Sequence, residues 1–276
     1  MAGVISNKRS VIYRDKRIIY RGASWHEPRD AIIAYDDFTG DTIDTTFGPF
    51  GWDAVGVQAT SGTRFAYSAS AGGADAGHGG WLRGVTGTGD DDMEAIFGAL
   101  NWTSLLSSTT GMLTFETRVC LPVITTCAAV VGWTDARTES AAGNLFNLSG
   151  TTAGTQVPTD AAVWFFDTDA TTDVWYGQGT ANDTDSTYAQ YAVGVAPPAD
   201  DPHTPRIEID SAQVGYFSMS GVGTERGDLT PYAAVSGCGR SSIAMCPIIG
   251  VTARADTDNL AMECDYVFAA APRSVA

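Results

Sequence analysis

The chain has 276 residues, with 32 acidic against 16 basic side chains and a formal net charge of −16. That length can bury a full core in one large domain, and a charged fraction of 17% beside 31 glycines suits short strands and turns better than helices. No apolar run reaches the roughly 18 to 20 residues of a membrane span; the N-terminus has no signal-peptide core, and an acidic surface repels polyanions. A soluble protein that binds neither membrane nor nucleic acid is therefore expected.

The first segment, residues 1–34, reads as a basic extended arm. Residues 1–30 hold seven basic and three acidic groups, net +4, while the other 246 hold nine and 29, net −20. In VIYRDKRIIYRG, two β-prone triplets, Val11-Ile12-Tyr13 and Ile18-Ile19-Tyr20, flank the charged turn-like Arg14-Asp15-Lys16-Arg17. A segment this apolar should pair with something, in its own chain or another. Docking on a neighbouring subunit is the expectation. The apolar contacts would come from Val11, Tyr13, Ile18 and Tyr20, and the charge from Lys8, Arg9, Arg14, Lys16, Arg17 and Arg21.

The body, residues 35–276, opens at YDDFTGDTIDTTFGPFGWDAV with turn residues between short apolar groups. GGADAGHGG reads as a connector and WLRGV as a strand. In DMEAIFGALNW, Met93, Ile96, Phe97 and Leu100 stand at helical spacing, although the shortness and Gly98 leave a strand open. GMLTFETRVCL then alternates cleanly: Leu113, Phe115, Thr117, Val119 and Leu121 on one face, Thr114, Glu116, Arg118 and Cys120 on the other. AAVVGW is a run of the kind buried on both sides, and AVWFFDTDATTDVWYGQG reads as strand, turn, strand. Trp164 and Trp175 are expected in the core. After VAPPADDPHTP come RIEID, VGYFSM, PYAAVS, IIGVTAR and AMECDYVFAA. Strands at this spacing without interleaved helices predict an all-β antiparallel sandwich.

Five cysteines lack zinc spacing, and the odd count opposes a complete disulfide framework. Cys120 and Cys127 flank what reads as a hairpin turn, LPVITT, so a bridge there stays open beside the favoured free thiols. The three histidines form no local pair. GDDDME and DTDATTD offer carboxylates to calcium, but neither matches the twelve-residue loop, and Asp and Thr are ordinary turn formers. No cofactor and no metal are expected. Trp52 and Trp81, beside glycine-rich stretches, are expected to pack.

The order FETRV, AAVVGWTD, VWFFDT, RIEID-turn-VGYFSMSG, LTPYAAV and CDYVFAA is similar to the concanavalin/laminin-G-like jelly roll. With the opening YDDFTGD and the closing DYV strand, it resembles the versions found in structural proteins of tailed bacteriophages. The resemblance covers roughly residues 35–270. It implies a concanavalin-like jelly-roll β-sandwich behind the N-terminal extended arm, and a non-enzymatic virion protein. A capsid decoration or cement protein is the first expectation: a trimer on the outer surface of the capsid, assembled in the host cytoplasm, its partners the major capsid protein and copies of itself. The alternative is a glycan-binding head of a tail fibre or spike. The β-glucanases of this fold use Glu-x-Asp-x-x-Glu, or the same with one more residue. RIEIDSAQ matches Glu208 and Asp210 but holds Ala212 and Gln213 where the acid belongs. An amide cannot donate a proton to a leaving glycosidic oxygen, and Arg206 beside Glu208 favours a fixed ion pair. The site is therefore expected to be structural.

Overall fold

In the computed structural model the alternating segments pair into two antiparallel sheets. It describes residues 12–14, 17–19, 31–38, 50, 52–56, 66–68, 80–99, 101–103, 112–137, 146–148, 154–156, 158–184, 189–190, 197, 199–220, 233–255 and 260–272. In chain order the strands are β1 (Ile12–Arg14), β2 (Arg17–Ile19), β3 (Ala31–Asp36), β4 (Asp53–Gly56), β5 (Ala66–Ser68), β6 (Trp81–Val85), β7 (Met93–Phe97), β8 (Leu113–Cys120) and β9 (Cys127–Thr134). They continue with β10 (Phe146–Leu148), β11 (Gly154–Gln156), β12 (Asp160–Asp167), β13 (Trp175–Ala181), β14 (Ala189–Gln190), β15 (Thr204–Ile209), β16 (Val214–Ser220), β17 (Ala233–Ser236), β18 (Cys246–Ala253) and β19 (Ala261–Pro272). One sheet runs β14-β13-β12-β9-β18-β7-β4; the other runs β17-β16-β15-β8-β19-β6-β5, with β3 also paired to β19. Two ribbons, β1–β2 and β10–β11, form small sheets of their own.

The apolar stripes meet between the sheets. From the eight-stranded sheet come Leu113, Phe115, Val119, Ile207, Ile209, Phe217 and Met219; from the seven-stranded sheet come Val131, Trp133, Trp164, Phe166 and Trp175. The Trp164 ring meets Phe217 edge-on at 5.3 Å, and its indole N–H donates across the gap to the Arg206 carbonyl at 3.1 Å. Trp175 likewise donates to His203 Nε2 at 3.0 Å, which leaves the imidazole proton on Nδ1, facing the Asp201 carbonyl at 3.3 Å. Burial pushes the His203 pKa down to about 4, so the ring is neutral and structural. Gly132 in β9 shows how close the backbones come. Its φ is +144°, and a Cβ there would lie 2.4 Å from the Ala162 carbonyl oxygen and 2.9 Å from Val163 Cα.

Two expectations change. Residues 93–97 form β7 and not a helix: Met93, Ala95 and Phe97 face outward while Ile96 joins the core, because β18 and β4 pair with it on both edges. LPVITT is no hairpin turn, because β8 and β9 lie in different sheets and the segment crosses from one to the other. Cys120 and Cys127 are both free and buried, as are Cys238, Cys246 and Cys264. Cys127 Sγ bonds the Val123 carbonyl at 3.2 Å, and burial pushes its pKa up to about 12, so it is an inert thiol. Of the expected connector, residues 72–80, all but Gly80 lie outside the described residues.

Candidate functional site

The RIEID hairpin is β15 turning into β16, with Ile207 opposite Phe217 and Glu208 opposite Tyr216. Strand alternation places Ile207 and Ile209 in the core and sends Arg206 and Glu208 to the outer face of the eight-stranded sheet. That part of the face is not wet. Side-chain exposure is 1% for Arg206, 6% for Glu116 and 7% for Glu208. Arg206 Nη1 donates to Glu116 Oε2 at 2.7 Å and Nη2 to Glu208 Oε1 at 2.8 Å, while the Tyr266 hydroxyl donates to Glu116 Oε1 at 2.7 Å. Burial works against the guanidinium's charge, but the two carboxylates outweigh it and hold its pKa above the ordinary value. Burial, and then Glu116, push the Tyr266 phenol up, so it stays a neutral donor.

A bulge builds this network. The β8–β19 register shifts between Cys264 and Tyr266, so Asp265 and Tyr266 both serve the outer face. Asp265 takes the Arg118 guanidinium at 3.1 Å, and Arg118 also lies over the Trp81 ring, 5.5 Å from its centroid. The charges at Glu116 and Arg118, two residues apart on β8, therefore serve different partners.

Asp210 caps the turn. Its Oδ1 accepts from the amides of Ala212 at 2.8 Å and Val214 at 3.0 Å, and its Oδ2 from the Tyr216 hydroxyl at 3.1 Å. Gln213 occupies the left-handed position of that turn, with φ 63°. Glu208 is thus bound into the wall of the sheet, and Asp210 into the turn and not into an outer row beside Arg206.

The two acidic stretches come together at one end of the seven-stranded sheet. Arg254, just past β18, pairs with Asp167 through Nε at 2.9 Å and through an Nη2–Oδ2 ion pair, and its Nη1 reaches Asp91 Oδ1 at 2.5 Å. Asp169 Oδ2 lies 3.8 Å from Arg254 Nε. Asp167 also accepts the Asp169 amide at 3.0 Å, and Asp92 the Gly89 amide at 2.8 Å, both turn bonds. An arginine supplies the positive charge at the place the sequence offered to calcium. Among the described residues no group of three or more His, Cys, Asp or Glu is arranged to hold a metal ion. Arg254 lies in IIGVTAR, about ninety residues from Asp167, and nothing local to it marks the pairing.

The outer face of the seven-stranded sheet is apolar: Met93, Ala95, Phe97, Val130, Val163, Phe165 and Ile248 are all buried, and Phe165 stacks on Tyr176 at 5.6 Å. A cavity of about 10 Å³ beside Met93, Val130 and Phe165 would hold one water at most. Trp52 and Trp81 are buried, as expected. Of the expected docking residues, Tyr13 and Arg14 fall in β1 and Arg17 and Ile18 in β2. Lys8, Arg9, Val11, Lys16, Tyr20 and Arg21 lie outside the described residues.

Two antiparallel sheets stacked over a shared core, with this strand order, make the chain an all-β, concanavalin-like jelly-roll sandwich. No protein-family model matches it, and no curated protein does. Solved structures match in fold. One from Mycobacterium abscessus, named a putative β-glucanase, is 13% identical, covering 86% of this chain and 98% of its own, with a TM-score of 0.50. The Bacillus licheniformis β-glucanase is 10% identical over 86% and 97%, with a TM-score of 0.49. The CBM2 module of the evolved Dit of Lactobacillus casei BL23 phage J-1 is 11% identical over 90% and 98%, with a TM-score of 0.47. At these identities the likeness is one of fold. The expectation that the chain is not an enzyme is nevertheless corrected: it shares its fold with the structure named a putative β-glucanase, and such a fold hosts hydrolases as well as other proteins.

Proposed function

We propose that the chain is a structural protein of a bacteriophage virion, a capsid decoration protein that clamps neighbouring capsid subunits from outside. The observation that carries this reading is an opposition of charge and structure. The β1–β2 ribbon, Ile12 paired with Ile19 and Arg14 with Arg17, is a sheet separate from the sandwich, in a segment of net +4 attached to a body of net −20. Such an arm docks on an acidic neighbour by burying its apolar residues and pairing its charges, while the acidic body faces solvent and discourages unspecific association. Particles lacking the protein should lose DNA at a lower temperature or ionic strength than complete ones. Equal stability of the two would overturn the reading, as would labelling that places the protein elsewhere than on the capsid.

Glycoside hydrolysis is the second reading, favoured by the fold match to the putative β-glucanase. Glu208 would not be its acid or nucleophile, being held by Arg206. A hydrolysis assay on β-glucans separates the two readings.

A further inference from the structure

The turn between β12 and β13 is built unlike the strands it joins. Residues 160–167 and 174–180 are buried throughout, whereas Thr168, Asp169, Ala170, Thr171, Thr172 and Asp173 are all half-buried or exposed. A segment with so little apolar burial opens at a lower free energy than the ladders beside it. It is nevertheless folded down. Ala170 packs on the outer-face cluster that contains Met93, Val130 and Phe165, and the Tyr176 hydroxyl donates to the Thr172 carbonyl at 2.6 Å. The Thr168 amide donates to the Cys127 carbonyl at 3.1 Å.

Arg254 faces this turn from a well-fixed segment. Its amide donates to the Thr126 carbonyl at 2.8 Å. Beside it, the Asp91 amide donates to the Ala253 carbonyl and the Ala253 amide to the Asp92 carbonyl, both at 2.9 Å. The guanidinium is 1% exposed and reaches both ways: Nη1 to Asp91 on the fixed segment, Nη2 and Nε to Asp167 at the root of the turn. Asp169, inside the turn, lies 3.8 Å from Nε. A buried cation shared between two segments joins them strongly, because parting them leaves its charge uncompensated.

We infer that residues 168–173 form a strap over the outer face of the seven-stranded sheet, latched by Arg254, which opens as a unit while the sandwich stays folded. The ladders permit this. The pairing of β12 with β13 ends at Phe166 opposite Trp175, and its pairing with β9 ends at Asp167 opposite Ala128, so the strap begins where the strand registers stop. Opening uncovers the cavity beside Met93, Val130 and Phe165, which in the closed state is about 10 Å³ and holds one water at most.

Hydrogen exchange of the full-length protein tests this, with Arg254→Met as the variant that removes the charge and keeps much of the side chain's length. In Arg254→Met the amides of Thr168, Asp169, Ala170 and Val174 should exchange roughly tenfold faster than in wild type, while those of β9 keep their rates. Emission of the apolar dye anilinonaphthalene sulfonate should rise at an unchanged circular dichroism spectrum, as the cavity is uncovered. Should Arg254→Met fail to fold, the doubly substituted Asp91→Asn/Asp169→Asn chain weakens the latch from two partly exposed positions. It should quicken the same four amides by a smaller factor. Unchanged exchange in the turn, or a quickening spread equally over the turn and β9, would overturn the strap. Faster exchange without a rise in dye emission would overturn its role over the cavity.

Discussion

Each outer face of the sandwich has a buried patch, and the two patches are built from opposite chemistry. On the seven-stranded sheet the outward residues of β12 are Ala161, Val163 and Phe165, and those of β7 are Met93, Ala95 and Phe97. On the eight-stranded sheet the outward residues of β8 and β15 include Glu116, Arg206 and Glu208, joined by Tyr266. A sandwich with a wet exterior alternates apolar and polar residues along each strand. Here the apolar patch on β7 and β12 abandons that alternation, while the ionic strands keep it and are dry around Arg206 all the same. Alternation in the sequence therefore reports which way a side chain points, and says nothing of whether water waits there.

The difference should appear most strongly when each face is damaged. Arg206→Met keeps much of the side chain's volume and removes the charge that two buried carboxylates share. Breaking a buried ion pair from one side costs about 3 to 5 kcal/mol, because the remaining charges lose their compensation. Urea unfolding should show that loss for Arg206→Met. Arg206→Lys should recover only part of it, since one ammonium lacks the planar fork that meets Glu116 and Glu208 together. A cost under about 1 kcal/mol for Arg206→Met would mean that this face is solvated, and would erase the contrast between the faces.

Between the two sheets sits a group that responds to pH. His203 accepts from Trp175 across the interface, and its pKa falls from 6.5 to about 4 on burial. The unfolded chain therefore takes up a proton below pH 6.5 that the folded chain refuses until about pH 4. Stability from this group is complete above pH 6.5 and drains away as pH falls through that window, at no more than about 1.4 kcal/mol per pH unit. Subtracting the pH profile of His203→Gln from that of wild type isolates the slope from the many carboxylates. Parallel profiles between pH 6.5 and 4.5 would show that His203 is free to ionise in the folded protein.

Much of this was legible in the sequence wherever the signal was local. The inward and outward sets of GMLTFETRVCL, the strand-turn-strand of residues 162–179, and the core positions Ile207, Ile209, Phe217 and Met219 all follow from period-two alternation. AAVVGW showed burial on both sides, and β9 is buried throughout. What could not be read depends on partners far along the chain. Glu116 and Arg206 are ninety residues apart, and although Glu116 and Arg118 share one face of β8, the β19 bulge gives Arg118 to Asp265. Separations of 87 and 163 residues hid Arg254 from the two aspartate stretches it joins. At β7 the helical spacing of Met93, Ile96 and Phe97 was real, but two neighbouring strands supplied a ladder that outweighed it. The expectation of a docking arm rests on composition and charge, which fix no geometry.

The smallest expected effect lies on the apolar face. Phe165 stacks on Tyr176 and lines the small cavity with Met93 and Val130. Dispersion and burial are non-directional, so a smaller hydrophobic residue keeps most of their contribution provided its neighbours can close in. Phe165→Leu should therefore cost about 1 kcal/mol in urea unfolding, with the slope of the transition unchanged. Met93 beside it is unbranched and can swing into the space. Hydrogen-bonded ions have no such freedom, because Arg206 must meet two fixed carboxylates at once. If Phe165→Leu proved as damaging as Arg206→Met, the apolar face would be as specific as the ionic one, and the distinction would be one of composition alone.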